Sequence, residues 1–352
     1  MAPAPEVAVV VGAYSRPTYV LDAVRSVLDQ TLERARVELL VTKNFRHGEI
    51  DAALARAGAT VRFDDTPRIG PWLLAAIRAT HAPIVTLLDD DDRYAPDRLG
   101  RVVDVFRTHP DVGFYRNRVA MVGPDDAPVP VGAWPPRGSD AYFDASGPVL
   151  LGPNAKADPV DLLFRRTRVS FNSSTMAFRR ELLDGRRGEW FAATRLPDSS
   201  LLLNAVLSPY DLYLDDRRLT RHRLHATNVT RRTGWLRWAE ESYRDFGEEA
   251  REFSRPDLAA YFAGNAVHFE RLARSGELVD RVGEGAGRRE IAGRASDYAR
   301  FLARHAAERA WTADVWAAEA YAAAYLLSPR LARRFQRTRA TRREAGGPVP
   351  SD

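Results

Sequence analysis

Between residues 7 and 111 the chain alternates unbroken apolar runs with amphipathic stretches. Residues 7–12 (VAVVVG) and 37–42 (VELLVT) are continuous apolar runs with no in–out alternation, so they read as strands buried on both faces of a sheet. An amphipathic helix is predicted from about Thr18 to Asp29, a second over 49–58 closed by Gly58, and a third over 71–81. Residues 60–65 (TVRFDD) predict a short third strand and 83–89 (PIVTLLD) a fourth. A helix over 96–111 follows, with Pro96 at its start. Strict strand–helix alternation of this length implies an α/β fold with a doubly wound, mostly parallel sheet flanked by helices.

Beyond residue 114 the pattern changes. Residues 114–170 are rich in Gly and Pro and read as loops, a length of irregular chain that usually carries function. Residues 170–182 (SFNSSTMAFRREL) look like a strand entering a helix, and 198–208 like a helix with Asp198 as its N-cap. Residues 212–230 read as a strand pair or a strand plus loop. From Trp235 onward the chain is Ala-, Arg- and Glu-rich and helical in pattern. The expected domains are a catalytic domain over 1–233, a helical C-terminal region over 234–343 and a disordered tail over 344–352.

Composition narrows the chemistry. With no cysteine among 352 residues, disulfides, thiolate metal sites and cysteine nucleophiles are excluded, which fits a reducing compartment. No apolar run is long enough to span a membrane, and the N-terminus lacks the basic start of a signal peptide, so a cytoplasmic location is expected. The net charge of +5 has a local origin: seven arginines fall within 330–343, and without them the chain stands at −2 (5 minus 7). The basic balance therefore belongs to a tail, which argues against a nucleic-acid-binding core. A basic helix there, with Leu331 and Phe335, suits peripheral contact with an anionic membrane; the alternative is a helical bundle that packs on the catalytic domain or forms a homodimer.

The candidate site lies at the strand ends. In a parallel α/β sheet, ligands sit beyond the carboxyl ends of the strands. The loops 12–17 (GAYSRP) and 42–44 (TKN) and the four aspartates 89–92 all fall there. Carboxylates so placed suit a hard divalent cation, Mg2+ or Mn2+. If the strand continues, Asp89 and Asp91 share one side with Asp90 opposite, and Asp92 caps the next helix.

These residues resemble glycosyltransferase family 2, which has the GT-A fold. The family's opening, a strand followed by Pro-Thr-Tyr-Asn-Arg-Pro, is matched by VVVGAYSRP; its Leu-Asp-x-Asp-Asp motif and following Pro-Asp-x-Leu helix are matched by LLDDDDRYAPDRL. The resemblance covers about residues 6–232. It implies an inverting, hexosyltransferase-type enzyme that moves a sugar from a nucleotide-diphosphate donor to a hydroxyl acceptor on a glycan, a lipid-linked carrier or a small molecule. By it, Asp89 and Asp91 form the metal-binding pair, with Asp91 in direct contact, and Asp90 lies near the ribose. Ala13, Tyr14 and Arg16 border the nucleotide, and Arg68 lies near the diphosphate. Asp198 matches the position of the general base, and His225 resembles a late-loop histidine that meets the metal or the diphosphate.

One departure stands out. Where relatives carry Val-Asp-Asp-Gly-Ser after the second strand, this chain has Val41-Thr42-Lys43-Asn44-Phe45. An acid that reads uracil is thus absent, Lys43 and Asn44 take its place beside the base, and guanosine, thymidine and cytidine donors stay open. Two alternatives remain. A sugar nucleotidyltransferase should carry a Gly-rich phosphate loop, which GAYSRP is not; a catalytically inactive nucleotide-sugar-binding or scaffold protein is kept open by the missing aspartate.

Overall fold

The computed structural model describes residues 4–130, 147–152, 169–225, 234–284 and 286–304. They divide into two compact units, one of Met1–Arg232 with Asp245–Ala259, the other of Thr233–Arg244 with Ala260–Asp352.

The first unit is built on one mixed sheet. Strands β1 (Val7–Ala13), β2 (Val37–Lys43), β3 (Thr60–Phe63) and β4 (Ile84–Asp89) are all parallel, in the order β3-β2-β1-β4. The sheet continues through β8 (Met176–Arg179), β6 (Val112–Val122), β9 (Asp211–Arg223) and β5 (Arg93–Tyr94), while β7 (Val149–Leu151) pairs with β9. Strands β1 to β4, β6 and β9 run one way and β5, β7 and β8 the other.

Helices α1 (Val20–Leu28), α2 (Gly48–Arg56), α3 (Ile69–Ala79) and α4 (Arg98–Thr108) connect the first strands. On α1, Val20, Ala23, Val24 and Val27 are buried, the i, i+3, i+4, i+7 stripe of a core-facing helix. They join Val7, Val9, Val11 and Val41 in one apolar core. Each fully buried valine of this kind contributes about 1.5–3 kcal/mol relative to exposure. Helix α3 packs against α5 (Arg186–Ala193) through Gly70, where a Cβ would lie only 2.5 Å from the Phe191 carbonyl oxygen. Any side chain there would force the two helices apart.

Several boundaries differ from expectation. Helix α4 starts at Arg98, two residues after Pro96, because Arg98 turns inward: it is fully buried, donating to Thr86 Oγ1 at 2.9 Å and to Asn117 Oδ1 at 3.0 Å. Residues 112–122 form a buried strand, β6, not a loop. Residues 170–183 give a 3-10 turn at Ser173–Thr175, β8, and a second 3-10 turn at Arg180–Leu183, not a strand running into an α-helix. Residues 211–223 are one continuous strand, which decides for the strand-plus-loop reading over the strand pair. Helix α6 (Pro197–Leu207) has Pro197 at its first position and Leu196 as N-cap, so Asp198 lies inside the first turn and is not the cap.

Helix α7 (Trp235–Glu252) contributes to both units; α8 (Pro256–Gly283) enters the second unit from Ala260, and α9 (Arg288–Arg304) lies within it. The second unit has its own small core of Leu278, Ile291, Tyr298, Phe301 and Leu302. Across α7 and α8, Glu270 accepts from Arg244 at 2.6 Å and from Arg274 at 2.6 Å. Among the described residues no helix is long and apolar enough to cross a membrane. The Arg-rich tail of 330–343 and the expected disordered tail of 344–352 lie outside the described residues.

Candidate active site

The strand register brings the three loops level. Ala13 pairs with Lys43 and Gly12 with Asp89, so β1, β2 and β4 end side by side and open on one edge. Ser15, at a positive φ of 56°, turns the chain after β1. Asn44 fastens that turn: its Oδ1 accepts from Ser15 N at 2.6 Å and its Nδ2 donates to Ser15 Oγ at 2.9 Å. The Tyr14 ring stacks on Trp72 with centroids 5.8 Å apart. Lys43 is no surface lysine. Its side chain is 2% exposed, its ammonium lies 2.7 Å from Asp51 Oδ1, and it donates to the Phe45 carbonyl. The cation at this position is thus balanced by an acid from α2.

Strand β4 stops at Asp89 and the chain turns, with Asp92 N donating to Asp89 O at 3.2 Å. Strand alternation ends there, so Asp90 does not point away from Asp91. Both meet one guanidinium: Arg16 Nη2 is 2.5 Å from Asp90 Oδ1, and Arg16 Nη1 is 2.6 Å from Asp91 Oδ2. Asp91 Oδ2 is also 2.9 Å from His225 Nε2. Asp89 Oδ1 accepts from Ser173 Oγ at 2.9 Å.

Asp92 does not cap α4. It is fully buried, and four donors converge on it: Asn172 Nδ2 at 2.8 Å, Ser174 Oγ at 2.7 Å, His222 Nδ1 at 2.9 Å and Arg223 N at 3.2 Å. A carboxylate offers about four lone-pair sites, so Asp92 is saturated from within and ties the aspartate turn to β9 and the 173–175 turn.

Ligand oxygens of Asp89, Asp91 and Asp92 lie within 4.8 Å of one another, the one such acidic or histidine group among the described residues. Crowding shows in the titration. Burial first, then the charges of Asp92 and Asp91, push the Asp89 carboxyl well above the usual range. Burial and Asp91 raise Asp90 to about 7 against the pull of Arg16, and its Oδ2 is buried without a partner. At Asp91 burial is outweighed by the His225 hydrogen bond and the Arg16 charge, which hold the carboxyl below its ordinary value. Hard oxygen donors too crowded to ionise together fit a divalent cation. With Asp92 saturated, Asp89 and Asp91 are the carboxylates left to hold one, and His225 stands at Asp91.

Asp198, at the start of α6, reaches the same cluster through one residue. Its Oδ2 accepts from Asn172 N at 3.2 Å and its Oδ1 from Ser199 N at 2.7 Å. Burial raises it to about 6, opposed by those two N–H groups and by the charge of Arg116. Arg68 stands apart: it is exposed at the N-cap of α3, where Nη1 donates to Ala193 O at 3.4 Å. The sequence reading did not find Asn172, Ser173, Ser174 and the Asp92–His222 pair. The available signal was the polar NSST run immediately before an apolar strand.

Known structures share this architecture. The fragment 1–349 of S. aureus TarS, in complex with UDP-GlcNAc, superposes with a TM-score of 0.57 at 13% identity over 91% of each chain. Mannosyltransferase PcManGT from Pyrobaculum calidifontis, in complex with GDP-Man and Mn2+, gives 0.51 at 18% identity over 93% of this chain and 88% of that one. A longer S. aureus TarS structure gives 0.50 at 16% identity over 76% of this chain and 43% of that one. At these identities the likeness is one of fold, GT-A. No curated protein sequence matches the chain. Residues 8–183, half of its length, match the glycosyl transferase family 2 sequence family, and the chain belongs to that family.

Proposed function

We propose that the chain is a metal-dependent, inverting glycosyltransferase that moves a hexose from a nucleotide-diphosphate sugar to a hydroxyl acceptor. The chemistry is assigned to residues 1–233, with Mn2+ or Mg2+ as cofactor. The observation that carries this reading is the carboxylate cluster at the end of β4 in a family 2 chain. Asp89 and Asp91, with His225 beside them, would hold the cation, whose chemistry when bound is to neutralise charge on the departing diphosphate.

The remaining roles belong to the protein's own groups. Asp198 takes the proton of the acceptor hydroxyl as its oxygen bonds to the anomeric carbon and the bond to the diphosphate oxygen breaks; attack from the face opposite the leaving group inverts the centre. A buried carboxyl near pH 6 is poised for that work at neutral pH. Asp90 Oδ2, buried and without a partner, is an acceptor for a ribose hydroxyl. Arg68 supplies a fork for the diphosphate, and Arg16, whose own fork lies on Asp90 and Asp91, borders the nucleotide. Ala13, Tyr14 and Asn44 frame the base, and Lys43 fixes their neighbouring loop through Asp51. The two liganded neighbours hold a uridine and a guanosine sugar nucleotide, which makes these the first two donor classes to try.

The test is a thermal-shift panel of UDP, GDP, CDP and dTDP with and without Mn2+. Ligand at 100 times its Kd adds about 2.7 kcal/mol of stability. A metal-dependent shift with one nucleotide is expected and identifies the donor base. If none of the four gives one, the reading fails.

A further inference from the structure

Asn172 is bonded to Asp198 and to Asp92, the residue that closes the turn carrying Asp89 and Asp91. It is 6% exposed and holds φ 68° and ψ 104°, a conformation that a residue with a side chain keeps only where its surroundings impose it. Every polar group it has is engaged. The N–H donates to Asp198 Oδ2 at 3.2 Å; the carbonyl accepts from Thr175 N at 3.1 Å and Thr175 Oγ1 at 2.7 Å. The side-chain Oδ1 accepts from Ser174 N at 2.7 Å and Nδ2 donates to Asp92 Oδ2 at 2.8 Å. The next two residues continue the link, with Ser173 Oγ donating to Asp89 Oδ1 at 2.9 Å and Ser174 Oγ accepting from Asp89 N at 3.0 Å.

A turn needing only a positive φ would be served by glycine. Asparagine adds a side chain that pins the turn to Asp92, while the backbone conformation aims the residue's own N–H at Asp198. We infer that Asn172 is a positioning residue: it sets the place of Asp198 relative to the turn that carries Asp89 and Asp91, its main chain holding Asp198 and its side chain holding Asp92 at the end of that turn. This rests on the reading of Asp198 as the base and of Asp89 and Asp91 as the metal carboxylates.

The two halves separate by mutation. Asn172→Gly keeps the positive φ and the N–H toward Asp198 but loses the bond to Asp92. Asn172→Ala loses that bond and is driven out of positive φ, so the N–H leaves Asp198 as well. Two measurements apply to the full chain: the affinity of the nucleotide selected from UDP, GDP, CDP and dTDP in MnCl2, and the release of nucleoside diphosphate from the matching sugar nucleotide with water as acceptor. In that release the water oxygen bonds to the anomeric carbon, the carbon–oxygen bond to the diphosphate breaks, and a water proton goes to Asp198.

Both variants are expected to lose about tenfold in metal-dependent affinity, the effect of loosening a group that orients metal carboxylates. Asn172→Ala alone is expected to lose a further factor of about 100 in kcat, the scale of a misplaced catalytic group. Its acidic limb should move to higher pH, because the Asp198 carboxylate has lost a donor and keeps only Ser199 N and the Arg116 charge. A residue that merely stabilised the fold would lower both variants alike and leave the limb in place. Equal kcat and equal limbs in Gly and Ala, with Asp198→Asn inactive, overturn the inference about Asn172 alone. Full activity in Asp198→Asn overturns the base reading, and this inference with it. Should Asn172→Ala not fold, Asn172→Gly decides: a tenfold loss confined to the MnCl2-dependent part of the nucleotide affinity supports the inference, and an unchanged affinity, or an equal loss with and without MnCl2, overturns it.

Discussion

His222 Nδ1 stands 2.9 Å from Asp92 Oδ1, and Asp92 has no exposed surface. Burial works against the imidazolium, yet the charge and hydrogen bond of Asp92 raise His222 to about 9, so the imidazole is protonated at neutral pH. Removing one partner of a buried pair strands the other and costs about 3–5 kcal/mol. His222→Ala is therefore expected to destabilise the protein by about 3 kcal/mol, and His222→Gln, which keeps a donor, by about half of that. Urea unfolding checks this: the midpoint should fall with the slope m unchanged. A His222→Ala midpoint equal to wild type would mean that Asp92 is held by its other donors alone.

Binding and turnover should separate between two aspartates. Asp91 is joined to Arg16 and His225 in the proposed metal site, whereas Asp198 is bonded to Asn172 and Ser199. Asp91→Ala is expected to abolish the Mn2+-dependent part of the nucleotide thermal shift. Asp198→Asn should leave that shift within about 1 °C of wild type and reduce turnover by about 10²–10⁴, the range for loss of a general base. An Asp198→Asn enzyme with normal turnover removes Asp198 from the role.

The pH profile follows from the same carboxyl. In its proposed role Asp198 takes a proton only when ionised, and burial raises it to about 6. Turnover should accordingly rise with pH, reach half its plateau near 6, and fall about tenfold per unit well below that. A profile flat from pH 5 to 8 would show that no group with this titration governs the step.

Strands β1, β2 and β4 of the parallel half were legible because they are buried on both faces and need few polar contacts. Strand β6 was not, since Arg116, Asn117 and Arg118 sit within it. Those side chains are tolerated because remote residues satisfy them: Arg116 donates to the Phe171 carbonyl, and Asn117 accepts from Arg98 and donates to Thr220 Oγ1 at 3.0 Å. Local pattern holds no trace of such partners.

The site was legible in the same partial way. That the aspartate run ends a buried strand is local information, and it located the site. The division of labour among the four is not local. Alternation predicted Asp90 opposite Asp91 and Asp92 at a helix cap, but the strand ends one residue too early for the first. The donors that claim Asp92 lie 80 and 130 positions downstream, at Asn172 and His222.

Glu249 on α7 makes a last prediction, in stability. It is 1% exposed, and burial first, then the charge of Glu252, raises it to about 8 against the opposing Arg187 charge and the Asn204 hydrogen bond. Glu249 Oε1 is buried without a partner. The folded state thus binds this proton more tightly than the unfolded chain, whose ordinary value is 4.5. The contribution to stability is complete below pH 4.5 and is lost as pH rises through about 8. His222, raised to about 9, Asp90, raised to about 7, Asp198, raised to about 6, and Asp89, raised well above the usual range, change stability in the same direction. The unfolding temperature of the wild type should fall between pH 5 and pH 9. Glu249→Gln, neutral throughout, should show a shallower fall, with the residual slope owed to the other raised groups. Parallel curves for Glu249→Gln and wild type would show that Glu249 does not hold its proton in the folded protein.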